Sequence, residues 1–455
     1  MSSFDFSKKD VLKIGLFGLG KSNIGVAEYL RKKYRCEFVI RSDKVFDKAK
    51  IPSFMRACPL YIGGEAYSDL GEDILFLSPS VKRDNARLLQ AEKNGTALSS
   101  DAELFFERAK CPIFAVSGSD GKSTTTELVN LLLKTKYPRT LKSGNCGAAM
   151  TPMLDLECDG AIHTVELSSF MLEYMTPKTK RAHLTGISEN HLDWHGDFAS
   201  YISAKENLLK RTEGAVLWYD DGICRDFIGK YPTFALLSTD KNSRFLSRLG
   251  CEICLTLEDG KIKLNGREIL SCDRVRRGEP HNIKNLMSAI ALCWGYFDIE
   301  SLSSVAESFG GIAHRCQSIG SFSGVEFINS SIDSSPMRTA VTLTGLNRSV
   351  IIILGGRGKG LSYSPLSEPL KKFAKAIVLT GENRHDISSE LADTLSSVPA
   401  YEAENFDTAV LSAIRLSERG DTVLLSPASA SYDEFPSFEF RGERFSEIIR
   451  NFYGK

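Results

Sequence analysis

Short apolar runs alternate with longer stretches in which apolar residues recur at helical spacing, and this alternation persists along the chain. VLKIGLFGLGKSNIGVAEYLRKK predicts a strand, a glycine turn and a helix, and FAVSGSDGKSTTTELVNLLLK predicts the same three elements again from Phe114 to Lys134. FVIRSD (38–43) and LFLSPS (75–80) each end an apolar run on polar residues, as do VIIILGGRGKG, AIVLTGENRHD and DTVLLSPASASYDEF further on. Strands alternating with helices imply parallel sheets, and the carboxyl edge of such a sheet is where ligands bind. CEICLTLEDGKIKLNGREIL instead alternates residue by residue across two glycine turns and predicts hairpins.

At 455 residues the chain exceeds one ordinary core, and roughly 150 residues per domain gives about three domains. The pattern divides it at 1–110, 111–312 and 313–455, three α/β bodies expected to meet at a shared cleft. Lys+Arg and Asp+Glu are each 57, so the overall charge gives no argument for nucleic acid or an anionic membrane surface. MSSFDFSKKD carries no apolar segment of signal-peptide type, and the longest aliphatic run, Val350 to Leu354, is far below the ~18 residues that span a bilayer. The expectation is a cytoplasmic protein. Eleven scattered cysteines suit reduced thiols better than a disulfide framework. The one C-x-x-C, Cys251 to Cys254, has no second pair at zinc spacing, and residues three apart on a strand are expected on opposite faces, which argues against a metal there.

The candidate chemistry gathers after the second predicted strand. Gly118, Ser119, Asp120 and Gly121 form a turn that feeds a helix N-terminus, where free amides and the helix dipole favour an anion. Lys122 adds a point charge, and Ser123 a hydroxyl able to ligate Mg²⁺. Val116 stands where the full Walker pattern has its first Gly, so the motif is a shorter G-x-x-G-K-S-T-T that includes Thr124; the competing reading is an ordinary turn with a solvated lysine. Glu166 closes another apolar run, either as an oxygen ligand for Mg²⁺ or as a surface carboxylate. His191, Asp193 and His195 crowd one short stretch of a chain with seven histidines, and they either ligate an ion or bond within a loop. Composition alone makes Lys205 a solvated lysine on a helix. Near the start, Asn23 stands where a dinucleotide fingerprint has its third glycine, so the Gly18–Gly20 turn either holds a phosphate or simply joins strand to helix.

Taken in order, GSDGKSTT, VELSSFMLE, NHLDWH with YISAKENLL, HNIKN, AHRCQ, LGGRGKG and LSPASASYDEFPSFEFRGERF resemble the Mur ligases of peptidoglycan synthesis across nearly the whole chain. The serine-rich ending with F-x-x-R-G resembles the branch that adds D-glutamate to UDP-N-acetylmuramoyl-L-alanine, whereas a D-N-P-R segment, expected of the diaminopimelate or lysine ligases, is absent. The resemblance implies an N-terminal Rossmann-like UDP-binding domain, a central P-loop ATPase-like domain with a parallel sheet, and a C-terminal Rossmann-like domain for the amino acid. It implies an ATP-dependent ligase working through an acyl phosphate, and the expectation is a monomer. Lys122 would meet the β/γ-phosphates of ATP, with Gly118, Ser119, Asp120, Gly121, Ser123, Thr124, Asn282, Asn285 and Arg315 around the nucleotide. Two Mg²⁺ would be held by Ser123, Glu166, His191 and a carbamylated Lys205. Lys21, Ser22, Arg41, Ser42, Asn145 and Ser168 would contact the UDP-substrate, and Ser334, Lys359, Ser431 and Phe438 the D-glutamate. Alternatives are a Mur-type ligase for another amino acid and a non-catalytic nucleotide-binding relative. The sequence departs from the family where N-D-S-K-A-T reads Asn329-Ser330-Ser331-Ile332-Asp333-Ser334, where the uracil-side D-[ST]-R reads Arg41-Ser42-Asp43, and where S-P-G reads Ser78-Pro79-Ser80.

Overall fold

The apolar runs become strands of three separate sheets in the computed structural model, which describes residues 4–44, 51–276 and 278–454. The first sheet contains β1 (Leu12–Phe17), β2 (Cys36–Ser42), β3 (Leu60–Ile62), β4 (Ile74–Leu77) and β5 (Ala97–Ser99). Its strands are all parallel, in the order β3-β2-β1-β4-β5. Order reverses between β1 and β4, so the turn after β1 lies at a switch point, where an open sheet leaves a crevice. Asn23, in the first turn of the helix Lys21–Lys33 that follows, is fully buried. Its Nδ2 donates to the carbonyls of Phe17 (3.0 Å), Gly18 (2.8 Å) and Phe76 (3.1 Å), so it ties β1 to β4.

The second sheet contains β6 (Ile113–Ser117), β7 (Thr140–Gly144), β8 (Ile162–Glu166), β9 (Arg181–Leu184), β10 (Ala215–Trp218), β11 (Thr233–Ser238), β12 (Ile253–Glu258), β13 (Lys261–Leu264) and β14 (Arg267–Ser271). Their order is β14-β13-β12-β11-β10-β9-β6-β8-β7. β7 through β12 run parallel with β6, and only the β12-β13-β14 hairpins are antiparallel. This accounts for the sequence pattern: β6, β8 and β10 are buried at every position and read as continuous apolar runs, whereas the hairpins alternate.

The third sheet runs β15-β16-β20-β17-β18-β19, built from β15 (Gln317–Phe322), β16 (Val325–Asn329), β17 (Val350–Gly355), β18 (Ala374–Thr380), β19 (Ala400–Glu402) and β20 (Thr422–Leu425). Apolar clusters cover both of its faces, around Phe327, Val410 and Phe445 on one and Leu343, Leu366 and Leu370 on the other. The chain forms two compact units, Met1–Ser308 and Phe309–Lys455. Within the first, the two sheets are packed together by helix Lys21–Lys33 and by Asp101, whose buried carboxylate accepts from the amides of Met150 (3.0 Å) and Thr151 (2.8 Å). Among the described residues no helix is long and apolar enough to cross a membrane.

Arg41 illustrates how the first sheet treats a charge delivered to a strand end. It is 1% exposed, pairs through Nε with Glu72 at 2.7 Å, and donates through Nη1 and Nη2 to the carbonyls of Ala66, Ser68 and Asp69. Replacing one member of a buried pair leaves the other charge uncompensated, at about 3–5 kcal/mol. Arg41→Met should therefore lower the urea midpoint accordingly, and Arg41→Met combined with Glu72→Leu should recover part of the loss. A single variant as stable as the parent would contradict this reading.

Candidate functional site

β6 lies between β8 and β9 at the switch point of the second sheet, and the turn after it passes straight into helix Lys122–Lys134. Gly118 has φ +134°, and a Cβ there would lie 2.0 Å from Thr185 Oγ1 and 2.8 Å from the Thr185 amide nitrogen. Gly121, with φ +76°, caps the helix, and a Cβ on it would sit 2.3 Å from Asn285 Oδ1. Only glycine fits either place, so the turn offers bare backbone to a ligand at the positive end of a helix. Ser119 is enclosed: its Oγ donates to the Ser188 carbonyl (2.9 Å), accepts from the Ser188 amide (2.9 Å) and meets Tyr201 Oη at 3.0 Å. Lys122 Nζ donates to the Ser119 carbonyl at 2.8 Å, which curls the ammonium over the turn. Asp120 is exposed, and Ser123 and Thr124 are half-buried in the first helical turn.

Glu166 ends β8 at the same edge and is fully buried. Its Oε1 accepts from Asn145 Nδ2 at 2.8 Å, while Oε2 is buried with no hydrogen-bond partner. A desolvated carboxylate oxygen without a donor is costly unless a cation completes it, and a hard oxygen ligand suits Mg²⁺. Lys205, 1% exposed, donates from Nζ to the Gly118 carbonyl at 2.7 Å and lies 4.6 Å from the Tyr201 ring. It is therefore not the solvated lysine that composition suggested. Burial first, then the Lys122 charge, pull its pKa down to about 7 against the opposing carboxylates of Asp120 and Glu166.

His191 is exposed with φ +54°, and its ring is 4.8 Å from that of Phe170. Asp193 is also exposed, whereas His195 Nε2 meets Ser169 Oγ at 3.0 Å and its ring stacks on Phe170. Ser168 caps the short helix that follows by accepting from the Met171 amide. Lys21 Nζ donates to the carbonyls of Gly144, Asn145 and Gly147 at 3.1, 3.3 and 2.8 Å, so it holds the Asn145 turn from the first sheet. Ser22 lines a small cavity with Arg83, Asp101, Met150, Phe170 and Tyr174. Ser42 Oγ bonds to the Lys44 carbonyl at 2.6 Å. On helix Pro280–Leu292, Asn282 Nδ2 donates to Glu279 Oε2 (2.8 Å), and Asn285 Oδ1 accepts from Thr125 Oγ1 at 3.4 Å.

In the second unit, β16, β17, β18 and β20 end at one edge, and the loops beyond them bring a second group together. Lys359 Nζ donates to Ser334 Oγ at 2.9 Å, and burial holds its pKa below the ordinary lysine range, aided by the Arg338 and Arg441 charges. Ser431 is buried, and Phe438 opens helix Phe438–Phe452. Arg315 is exposed in a turn between His314 and Cys316, both at positive φ. Asp333 faces inward, accepting at Oδ2 from Thr342 and Ser426 at 2.8 Å each.

Two residues without a sequence assignment prove central to this edge. Arg441, 2% exposed, donates to Ser331 Oγ (3.0 Å) and to the carbonyls of Ser331, Ser429 and Ala430, so it ties two loops to the helix that follows. Asn383 accepts from the Gly356 amide and donates to Ser429 Oγ, both at 2.9 Å. The F-x-x-R-G motif pointed at Arg441 without revealing its task; nothing local marks Asn383. Cys251 and Cys254 also depart from expectation. Cys251 lies before β12, outside the strand's alternation, and its Sγ is 3.2 Å from Cys254 Sγ, not on the opposite face.

The Mur ligase middle-domain family matches residues 116–293, and the Mur ligase, glutamate ligase domain family matches residues 314–429. The chain is 34% identical to UDP-N-acetylmuramoylalanine–D-glutamate ligase of Acetivibrio thermocellus, with 98% of each chain covered. The similarly named proteins of Clostridium novyi and Clostridium perfringens are 32% identical, covering 96% of each chain and 98% and 99% respectively. Among solved structures, UDP-N-acetylmuramate-alanine ligase from Thermotoga maritima shares the fold with TM-score 0.54 at 18% identity, over 97% of this chain and 99% of that one. A UDP-N-acetylmuramoyl-L-alanyl-D-glutamate–2,6-diaminopimelate ligase does so with TM-score 0.53 at 16% identity, over 83% and 92%.

The depressed pKa of Lys205 predicts a pH dependence. An unfolded chain holds the lysine proton up to about 10.4, whereas the folded site releases it near 7. Between these values the unfolded state binds more protons, so this group makes stability rise with pH across the window and fall as pH drops toward 7. In metal-free buffer, Lys205→Met should flatten the dependence of unfolding free energy on pH between about 7 and 10. An unchanged slope would place the low-pKa amine elsewhere.

Proposed function

The chain belongs to the Mur ligase family, whose members generally use ATP and Mg²⁺, and on that basis we propose that it joins D-glutamate to UDP-N-acetylmuramoyl-L-alanine in the cytoplasm, as a step of peptidoglycan precursor synthesis. The observation that carries this reading is identity of 32–34% with D-glutamate ligases over 96–98% of the chain. The geometry is consistent with it. A carboxylate is a poor electrophile because oxide is a poor leaving group, so the substrate carboxylate takes the γ-phosphoryl of ATP and becomes an acyl phosphate. The amine of D-glutamate then displaces phosphate and forms the amide.

In this proposal the Gly118–Gly121 turn and Lys122 hold the phosphates, and Asn282, Asn285 and Arg315 serve the nucleotide. Ser123 and the unpartnered Oε2 of Glu166 would hold one Mg²⁺, and His191 with a carbamylated Lys205 a second. When bound, Mg²⁺ offsets charge on the transferring phosphoryl group. Burial keeps a fraction of Lys205 neutral near pH 7, and a neutral amine can add CO₂ and release a proton to give a carbamate. Lys21, Ser22, Ser42, Asn145 and Ser168 are assigned to the UDP-substrate; Arg41, expected in the same set, has its guanidinium taken up by Glu72 and three carbonyls and supports that strand end instead. Ser334, Lys359, Ser431 and Phe438 are assigned to D-glutamate, Lys359 pairing with a carboxylate. The boundary near residue 110, inside the first unit, separates the proposed UDP-binding and ATP-binding domains.

The direct test is phosphate release from ATP and Mg²⁺ with UDP-N-acetylmuramoyl-L-alanine, adding D-glutamate, L-glutamate, L-alanine or diaminopimelate separately. Release with D-glutamate alone, together with the mass of the amide product, is expected; release with another amino acid would reassign the substrate. Gly121→Ala should weaken ATP binding about fivefold or more, since a strained backbone costs roughly 1–3 kcal/mol and Asn285 must give way. Unaltered binding of ATP by that variant would remove the turn from the nucleotide site.

A further inference from the structure

The two sulfurs that the sequence separated lie in contact. Cys251 sits between helix Ser243–Ser247 and β12, and Cys254 is the second residue of β12. Cys254 is held on both sides by Asn265: its amide donates to Asn265 Oδ1 at 2.8 Å, and its carbonyl accepts from the Asn265 amide at 2.8 Å. Pairing of β12 with β11, with Cys254 opposite Leu236, fixes it further. Cys254 is 1% exposed, whereas Cys251 is half-buried and reachable from solvent. The Sγ atoms are 3.2 Å apart, and a disulfide needs them at about 2.05 Å, an approach of roughly 1 Å that side-chain rotation can supply.

We propose that Cys251 and Cys254 form a dithiol site that undergoes reversible exchange with small-molecule disulfides, Cys251 attacking and Cys254 resolving. The Cys251 thiolate attacks one sulfur of the disulfide RSSR, forming Cys251–S–S–R and expelling RS⁻. Cys254 then loses its proton to solvent, and its sulfur attacks Cys251 Sγ, expelling the second RS⁻ and closing the Cys251–Cys254 bond. Two electrons pass from the cysteines to RSSR, and the two released protons convert both RS⁻ to RSH. The assignment of roles follows from access, since only Cys251 can meet the reagent. It also agrees with the pKa of Cys251, which hydrogen bonding from Cys254 lowers; a backbone amide at Leu236 contributes in the same direction. The pair lies at the start of β12, four strand positions from β6 and at the amino edge of the parallel strands, away from the phosphate turn at the carboxyl edge.

The test treats the folded full-length protein with oxidised glutathione, quenches it in acid, alkylates the free thiols and maps the peptides by mass. The peptide holding both cysteines should resist alkylation and be about 2 Da lighter, and dithiothreitol should reverse this. The Cys254→Ser variant should retain a glutathionyl adduct on Cys251, whereas the Cys251→Ser variant should leave Cys254 unmodified. Full alkylation of both thiols after glutathione treatment, oxidation seen only in denaturant, or a Cys254→Ser protein without an adduct would each overturn the proposal.

Discussion

The turn after β6 depends on one steric constraint, the contact between the Gly118 backbone and the end of β9. No side chain fits between Gly118 and Thr185, so the turn lies flat against the neighbouring strand. That close approach places the Gly118 carbonyl where Lys205 Nζ can reach it, and the Ser119 hydroxyl where Ser188 and Tyr201 enclose it. Gly121 does the same on the other side, where it admits Asn285 to the head of the helix. Elements far apart in sequence are thereby drawn to one backbone turn at the head of a helix, where the helix dipole favours an anion.

Buried charges separate scaffold from chemistry in this molecule. Arg41 is enclosed with the carboxylate of Glu72, and the donors of Arg441 are taken up by Ser331 and by loop carbonyls, so both are bonded within the fold. Glu166 and Lys205 are just as buried but differently served. Glu166 keeps an oxygen without a donor, and Lys205 has one carbonyl partner and the charge of Lys122 nearby. A fold tolerates such groups where a ligand completes them, because an uncompensated buried charge otherwise costs stability. The contrast between satisfied and unsatisfied charge thus marks the carboxyl edge of the second sheet as the place where buried charge stays open to a ligand.

What the sequence displayed follows the same division. Parallel strands show as apolar runs, and the turn after β6 shows as glycines beside Lys122, because these constraints act between residues near in the chain. Lys205 looked like a solvated helix lysine because its partner, Gly118, lies 87 positions away. Arg41 read as a polar residue delivered to a strand end, and its inward turn depends on Glu72 and the 66–69 loop. The cysteine pair misled for a local reason: strand alternation begins only after Cys251, so the rule that separates residues on opposite faces did not apply to it.

The third sheet solves the problem of a polar edge in another way. Its loops carry many hydroxyls, and Arg441 and Asn383 organise them by bonding to backbone and to Ser331 or Ser429, so the serine-rich sequence is largely consumed by loop architecture. Asp333 is spent likewise on Thr342 and Ser426. Lys359 differs in being a cation whose only side-chain hydrogen bond among the described residues is with the neutral Ser334, while burial and two nearby arginines disfavour its charge. A carboxylate is the ligand that would relieve both effects at once.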